Sequence, residues 1–194
     1  MKQISFALII VLTTLSSYGQ EKKNLVVSIA AGKLTSPYYL ESKAGNFFSI
    51  DFDYHLSKRH ILSANYTDGG HSYYDNVLST DPSYIKSDGT NANADYRTFS
   101  VLYKYRFLNT KAISAIVGTG AGIMTHSKRY PYATNNGSIF NESTWSDLVF
   151  PVRLEFEYKI SKSFRLGLIG GFYVQPDFPV LAYHVGPRIG YMLK

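Results

Sequence analysis

Over most of the chain, apolar side chains recur at every second position and almost never at the 3.6-residue spacing of a helix. Successive side chains of an extended strand point to opposite faces, so this period divides each segment into two surfaces. The last segment shows it most fully. Leu181, Tyr183, Val185, Pro187, Ile189, Tyr191 and Leu193 alternate with Ala182, His184, Gly186, Arg188, Gly190 and Met192. Phe150, Val152, Leu154, Phe156, Tyr158 and Ile160 alternate in the same way with Arg153, Glu155, Glu157 and Lys159. The division recurs for Phe99, Val101, Tyr103, Tyr105 and Phe107 against Ser100, Lys104 and Arg106, and for Phe48, Ile50, Phe52 and Tyr54 against Ser49, Asp51, Asp53 and His55. Phe164, Leu166, Leu168, Phe172 and Val174 oppose Arg165, Gly167 and Gly171. Weaker alternation over residues 25–31, 62–66 and 113–123 brings the total to eight strands.

The connections between these segments are of two kinds. Tight turns fall at residues 56–59, 108–111 and 160–163, and Lys58, Thr110 and Lys162 stand 52 positions apart (110 − 58 and 162 − 110). Between them lie longer stretches rich in Gly, Asn, Ser and Tyr at 35–44, 68–94 and 125–148, and a short one at 175–180. Regular spacing of this kind predicts an up-and-down meander. An even strand number, with short turns on one side and long polar loops on the other, is the pattern of a transmembrane barrel.

Composition removes other classes. At 194 residues there is room for one domain and its core. The absence of cysteine excludes a disulfide scaffold and Cys-ligated zinc or iron–sulfur centres, and no cofactor or metal is expected. The net charge of +6 is scattered along the chain, so no nucleic-acid partner is expected. Residues 1–19 read as a signal peptide: Lys2, an apolar run from Phe6 to Leu12, then Ser17-Tyr18-Gly19 with small residues at both positions a signal peptidase inspects. The barrel domain is expected over 20–194.

Alternation alone does not say which face is inside, because a soluble lipocalin-like barrel alternates as well. Glycine breaks the symmetry. Gly118, Gly120, Gly122, Gly167, Gly171, Gly186 and Gly190 share the charged face with Ser49, Ser63, Ser100 and Ser114. Glycine weakens a strand and has no use on a solvent-facing surface, whereas the lumen of an eight-stranded barrel is barely wide enough for side chains. The ionic face is therefore expected inside. That puts Asp51, Asp53, Glu155 and Glu157 in the lumen with Lys104, Arg106, Arg153, Lys159, Arg165 and Arg188, as a structural charge network. On the other face, aromatic residues gather near both strand ends. Tyr54, Tyr105, Phe107, Tyr158, Phe164 and Tyr191 lie beside the short turns, and Phe48, Tyr66, Phe99, Phe150, Phe172 and Tyr183 toward the loops. Two such girdles around an aliphatic band match the two interfaces of a bilayer.

On these features the chain resembles the small eight-stranded outer-membrane barrels of Gram-negative bacteria, the OmpA/OmpX-like superfamily. The resemblance implies an all-β fold, an eight-stranded antiparallel up-and-down transmembrane β-barrel, integral to the bacterial outer membrane. It also implies short turns in the periplasm, loops outside the cell, and contact with outer-membrane lipids, lipopolysaccharide and the barrel-assembly machinery. A monomer is expected. The final strand ends in Leu193-Lys194, where such strands commonly end in an aromatic residue.

Few residues suggest chemistry. His71-Ser72 with Asp75, and His126-Ser127, stand where a lipid-modifying enzyme would place nucleophile, base and orienting acid. Neighbours in a strand point to opposite faces, so neither pair forms a dyad, and no catalytic residue is assigned. Tyr73, Tyr74, Tyr84, Tyr130, Tyr132 and Trp145 are expected as loop aromatics suited to contacting sugars or protein surfaces. Pro187 stands mid-strand, so a bulge is expected beside it, and Pro151 is placed at the loop end of its strand. The expected function is a non-catalytic integral outer-membrane barrel with a charged, closed lumen and a structural or surface-interaction role. An outer-membrane acyl hydrolase or transferase, and a soluble lipocalin-like carrier, remain as alternatives.

Overall fold

The computed structural model describes residues 25–37, 42–75, 90–134, 137–176 and 181–193. Eight strands run in chain order: β1 (Leu25–Thr35), β2 (Lys43–His55), β3 (His60–Asp75), β4 (Thr90–Asn109), β5 (Ile113–Thr134), β6 (Gly137–Lys159), β7 (Phe164–Val174) and β8 (Ala182–Leu193). Each pairs antiparallel with its neighbours, and β1 pairs with β8 to close the sheet into a barrel. The expected fold class is the one observed. The signal peptide lies outside the described residues.

The faces divide as the alternation requires. Phe99, Val101, Tyr103 and Phe107 on β4, and Leu154, Phe156 and Tyr158 on β6, are exposed on the outer surface, Phe99 to 62%. Their neighbours Lys104, Arg153 and Glu155 are buried inside, none more than 1% exposed. The apolar belt covers residues 99–107 of β4 and 183–193 of β8. Those lengths match the roughly 9–11 residues a tilted strand needs to cross a bilayer. Its upper edge is sharp. Phe99, Ile123 and Leu148 form one outward row across β4, β5 and β6, and the next outward row is Arg97, Thr125 and Ser146.

Above that edge the strands continue, which corrects the expected loops at 68–94 and 125–148. β3 extends to Asp75, β4 starts at Thr90, and β5 and β6 remain paired as far as Thr134↔Gly137. In this upper wall the outward face changes from apolar to polar, so the hydropathy pattern fades while the hydrogen-bonded ladder persists. Cross-strand hydroxyl pairs mark it: Thr125 with Ser146 at 2.9 Å and Ser127 with Thr144 at 3.0 Å.

Both prolines depart from expectation. Pro151 lies well inside β6 and is buried, and Pro187 has no bulge beside it. Pairing of β6 with β5 skips from Thr119↔Val152 to Gly122↔Val149, and pairing of β8 with β1 skips from Ala30↔Arg188 to Lys33↔Val185, with the register unchanged across both gaps. Each missing N–H therefore costs ladder bonds locally without shifting a strand. At the closing seam the backbones approach tightly, because a Cβ on Gly186 would lie 2.1 Å from the Ala31 carbonyl oxygen. Gly186→Val is expected to destabilise the fold in micelles by about 1–3 kcal/mol. Gly170→Ala, whose new Cβ would have its nearest neighbour at 3.8 Å, should stay within about 0.5 kcal/mol of wild type in the same urea titration.

Candidate functional site: the ionic lumen

Inward alternation on eight strands brings charges from distant parts of the chain together. At the centre is Arg188 on β8. Its Nη2 lies 2.5 Å from Asp53 Oδ2, and its Nη1 lies 2.7 Å from Glu155 Oε2 and 2.6 Å from Glu157 Oε1. Nη2 also donates to Ser28 Oγ at 2.9 Å. Lys104 Nζ sits 2.9 Å from Asp53 and 2.7 Å from Glu155. Arg153 Nη1 donates to Asp51 Oδ1 at 2.6 Å and its Nη2 to Thr67 Oγ1 at 3.2 Å. Arg165 and Ser114 both donate to Glu157 Oε2, at 3.1 and 2.9 Å. Asn65 Nδ2 donates to Asp51 at 3.0 Å.

These contacts take at least one side chain from every strand: Ser28, Asp51 with Asp53, Asn65 with Thr67, Lys104, Ser114, Arg153 with Glu155 and Glu157, Arg165, and Arg188. Burying an ion is costly unless geometry and hydrogen bonds compensate, and here each carboxylate meets at least one cation within 3.1 Å. Small residues make the room. A Cβ on Gly118 would lie 2.7 Å from Lys104 Cγ, and one on Gly171 would lie 3.1 Å from Arg153 Cγ.

Two of the expected lumen cations stand apart from this cluster. Lys159 reaches the short-turn rim, where its Nζ donates to Asn109 Oδ1 at 2.7 Å and the Thr110 carbonyl at 2.6 Å. Arg106 is buried near the same end, with Nη1 donating to the Lys58 carbonyl at 3.0 Å.

Toward the loop end the interior turns apolar and aromatic. Phe47, Tyr73, Tyr96, Met124, Val149, Ile169 and Tyr173 form one buried cluster above the ions. Tyr73, expected on a loop, belongs to β3 and is 4% exposed, because the inward alternation continues past the edge of the apolar belt. Trp145 likewise belongs to β6; it is half-buried, stacks on His126 with ring centroids 5.2 Å apart, and has Lys128 Nζ 5.3 Å from its ring. Tyr84 and the side chains of Tyr74, Tyr130 and Tyr132 lie outside the described residues. Tyr96 and Tyr173 were not singled out from sequence. Their parity with Thr98 and Ser100, and with Gly171 and Arg165, was the available signal.

The His-Ser pairs do not assemble a nucleophile and base. His71 is buried inside while Ser72 donates to Asn93 Oδ1 at 2.9 Å on the outer face. His126 faces inward, 3.0 Å from Gln175 Nε2, and Ser127 outward to Thr144.

No family model and no curated protein matches the chain. Among solved structures it resembles Ail, the attachment invasion locus protein of Yersinia pestis, solved in complex with the heparin analogue sucrose octasulfate. That match has 11% identity and a TM-score of 0.58, covering 89% of this chain and 100% of that one. It is also similar to Neisserial surface protein A (12% identity, TM-score 0.59, 89% and 98% covered) and to the outer membrane protein OprG from Pseudomonas aeruginosa (8% identity, TM-score 0.57, 89% and 98% covered). At these identities the likeness is one of fold: small outer-membrane β-barrels.

Because Arg188 faces three carboxylates, removing it leaves buried charge uncompensated. Arg188→Met is expected to destabilise the barrel by about 3–5 kcal/mol. Lys159→Met at the exposed rim should cost no more than about 1 kcal/mol, by urea titration in micelles.

Proposed function

We propose that the protein is a non-catalytic integral barrel of the bacterial outer membrane, sealed by its lumen charges, with a structural or surface-interaction role carried by the wall that rises above the membrane. The observation that carries this reading is the pairing of two opposite surfaces on one closed sheet. A continuous apolar belt faces outward, and behind it a cross-linked set of four carboxylates and their cations fills the interior. A soluble carrier of this topology would keep its apolar face inside for the ligand, and an outward belt of Phe, Tyr, Leu and Val in water would drive aggregation.

The ions close the lumen because Lys104, Arg153 and Arg188 each tie together strands that are not neighbours, and an aromatic layer stands above them. Conduction requires sites that an ion can leave. The upper wall supplies the surface role. Its outer face between β4, β5 and β6 carries Asp95, Arg97, Thr125, Ser127, Glu142 and Thr144, alternating donors, acceptors and both charges in the manner of surfaces that contact sugars or proteins. Lipopolysaccharide is the neighbour every such wall meets in that membrane.

The test is fractionation of cells expressing the full chain, followed by bilayer recording. The protein is expected in the carbonate-resistant outer-membrane fraction, migrating faster unboiled than boiled, and adding no step conductance to a planar bilayer. A soluble extract, or open channels in the wild type, would overturn the reading.

A further inference from the structure

Among the described residues the buried charges do not balance. Four carboxylates, Asp51, Asp53, Glu155 and Glu157, face five buried cations, Lys104, Arg106, Arg153, Arg165 and Arg188. The ion pairs assign the carboxylates to Lys104, Arg153, Arg165 and Arg188, so Arg106 is the surplus cation. Its Nη1 donates to the Lys58 carbonyl, while its Nε and Nη2 have no hydrogen-bond partner among the described residues. Both Glu157 oxygens are already engaged by other donors, Oε1 by Arg188 and Oε2 by Arg165 and Ser114. A buried guanidinium left with idle donors is costly, and an anion relieves that cost.

Arg106 lines a cavity of about 440 Å³ at the short-turn end of the barrel. Its other charged walls are Lys58, Lys111, Lys159, Lys162 and Arg165, and no carboxylate lines it among the described residues. Ser57 and Ser161 line it too. Each accepts backbone N–H groups at its Oγ, from Arg59 and His60 and from Ser163 and Phe164, so each hydroxyl proton remains available to donate. A planar guanidinium fork, several ammonium groups and two hydroxyl donors match a multiply charged tetrahedral oxyanion better than a single carboxylate.

We propose that this turn-side cavity binds a phosphoryl group, with Arg106 as the buried anchor and the turn lysines as the rim. The site follows from the cavity alone, and only its source depends on the membrane reading. Short turns face the periplasm in such barrels, where the phosphoryl group belongs either to an anionic phospholipid headgroup of the inner leaflet or to a soluble phosphate.

The experiment uses the full mature chain folded in maltoside micelles free of phosphate, with the Arg106 Nε–H resonance followed by NMR. Inorganic phosphate is titrated in one arm and phosphatidylglycerol in the other, against chloride at matched ionic strength. A saturable shift of Arg106 in either arm is the expected result, and the arm that responds identifies the source. Arg106→Gln should weaken binding about tenfold or more, followed on the neighbouring Lys58 and Ser161 amides. The Lys111→Gln, Lys162→Gln pair, placed on exposed turns, should weaken it by a smaller factor, and it decides alone if Arg106→Gln does not fold. No saturable shift in either arm, an equal shift with chloride, or unchanged binding in the folded variants would overturn the proposal. A soluble protein in the fractionation would remove the membrane address and leave this result standing.

Discussion

Inside hydrocarbon a backbone N–H or C=O has no partner except another backbone group, and the rest of this molecule follows from satisfying that demand. A sheet meets it only by closing on itself. Here closure falls at β1 and β8, where nine residue pairs from Leu25↔Leu193 to Thr35↔Tyr183 join the ends of the sheet. Closure then fixes a narrow interior, and the period-2 alternation fills it with every second side chain. With the apolar set committed to lipid, the polar set has nowhere else to go. The lumen ions are therefore a consequence of the outer belt, and their mutual pairing is the condition under which the consequence is tolerable.

That logic made much of the fold legible from sequence. Arg153, Glu155 and Glu157 alternate with Leu154 and Phe156 on one strand, and this is enough to separate the faces. The glycines then identify the crowded side, since Gly118 makes room beside Lys104. The upper wall was less legible. Once the outward residues change from Ile123 and Leu148 to Thr125 and Ser146, both faces carry polar atoms, and a paired strand reads like a loop. Tyr73 was placed on such a loop for that reason, although its inward parity with His71 was already present in the chain.

Partner choice within the lumen was not legible at all. Alternation says that Arg106 and Arg188 both point inward, but not that Arg188 meets three carboxylates and Arg106, among the described residues, none at hydrogen-bonding distance. The difference comes from height along the barrel, set by register between strands far apart in sequence. The same holds for the prolines. The missing N–H groups of Pro151 and Pro187 were visible, but whether the sheet answers with a bulge or with a gap in the ladder depends on neighbouring backbone, such as the close approach of Gly186 to Ala31.

The central claim is that the outer belt is in contact with hydrocarbon and that its upper limit is the row Phe99, Ile123 and Leu148. The most direct measurement is the folding free energy in phospholipid vesicles of single arginine substitutions at two outward positions of β6. Leu154→Arg, mid-belt, is predicted to cost about 2–4 kcal/mol, and Leu148→Arg, at the edge, about 0–1 kcal/mol. Equal costs at the two positions, or a tolerated arginine at Leu154, would contradict the account.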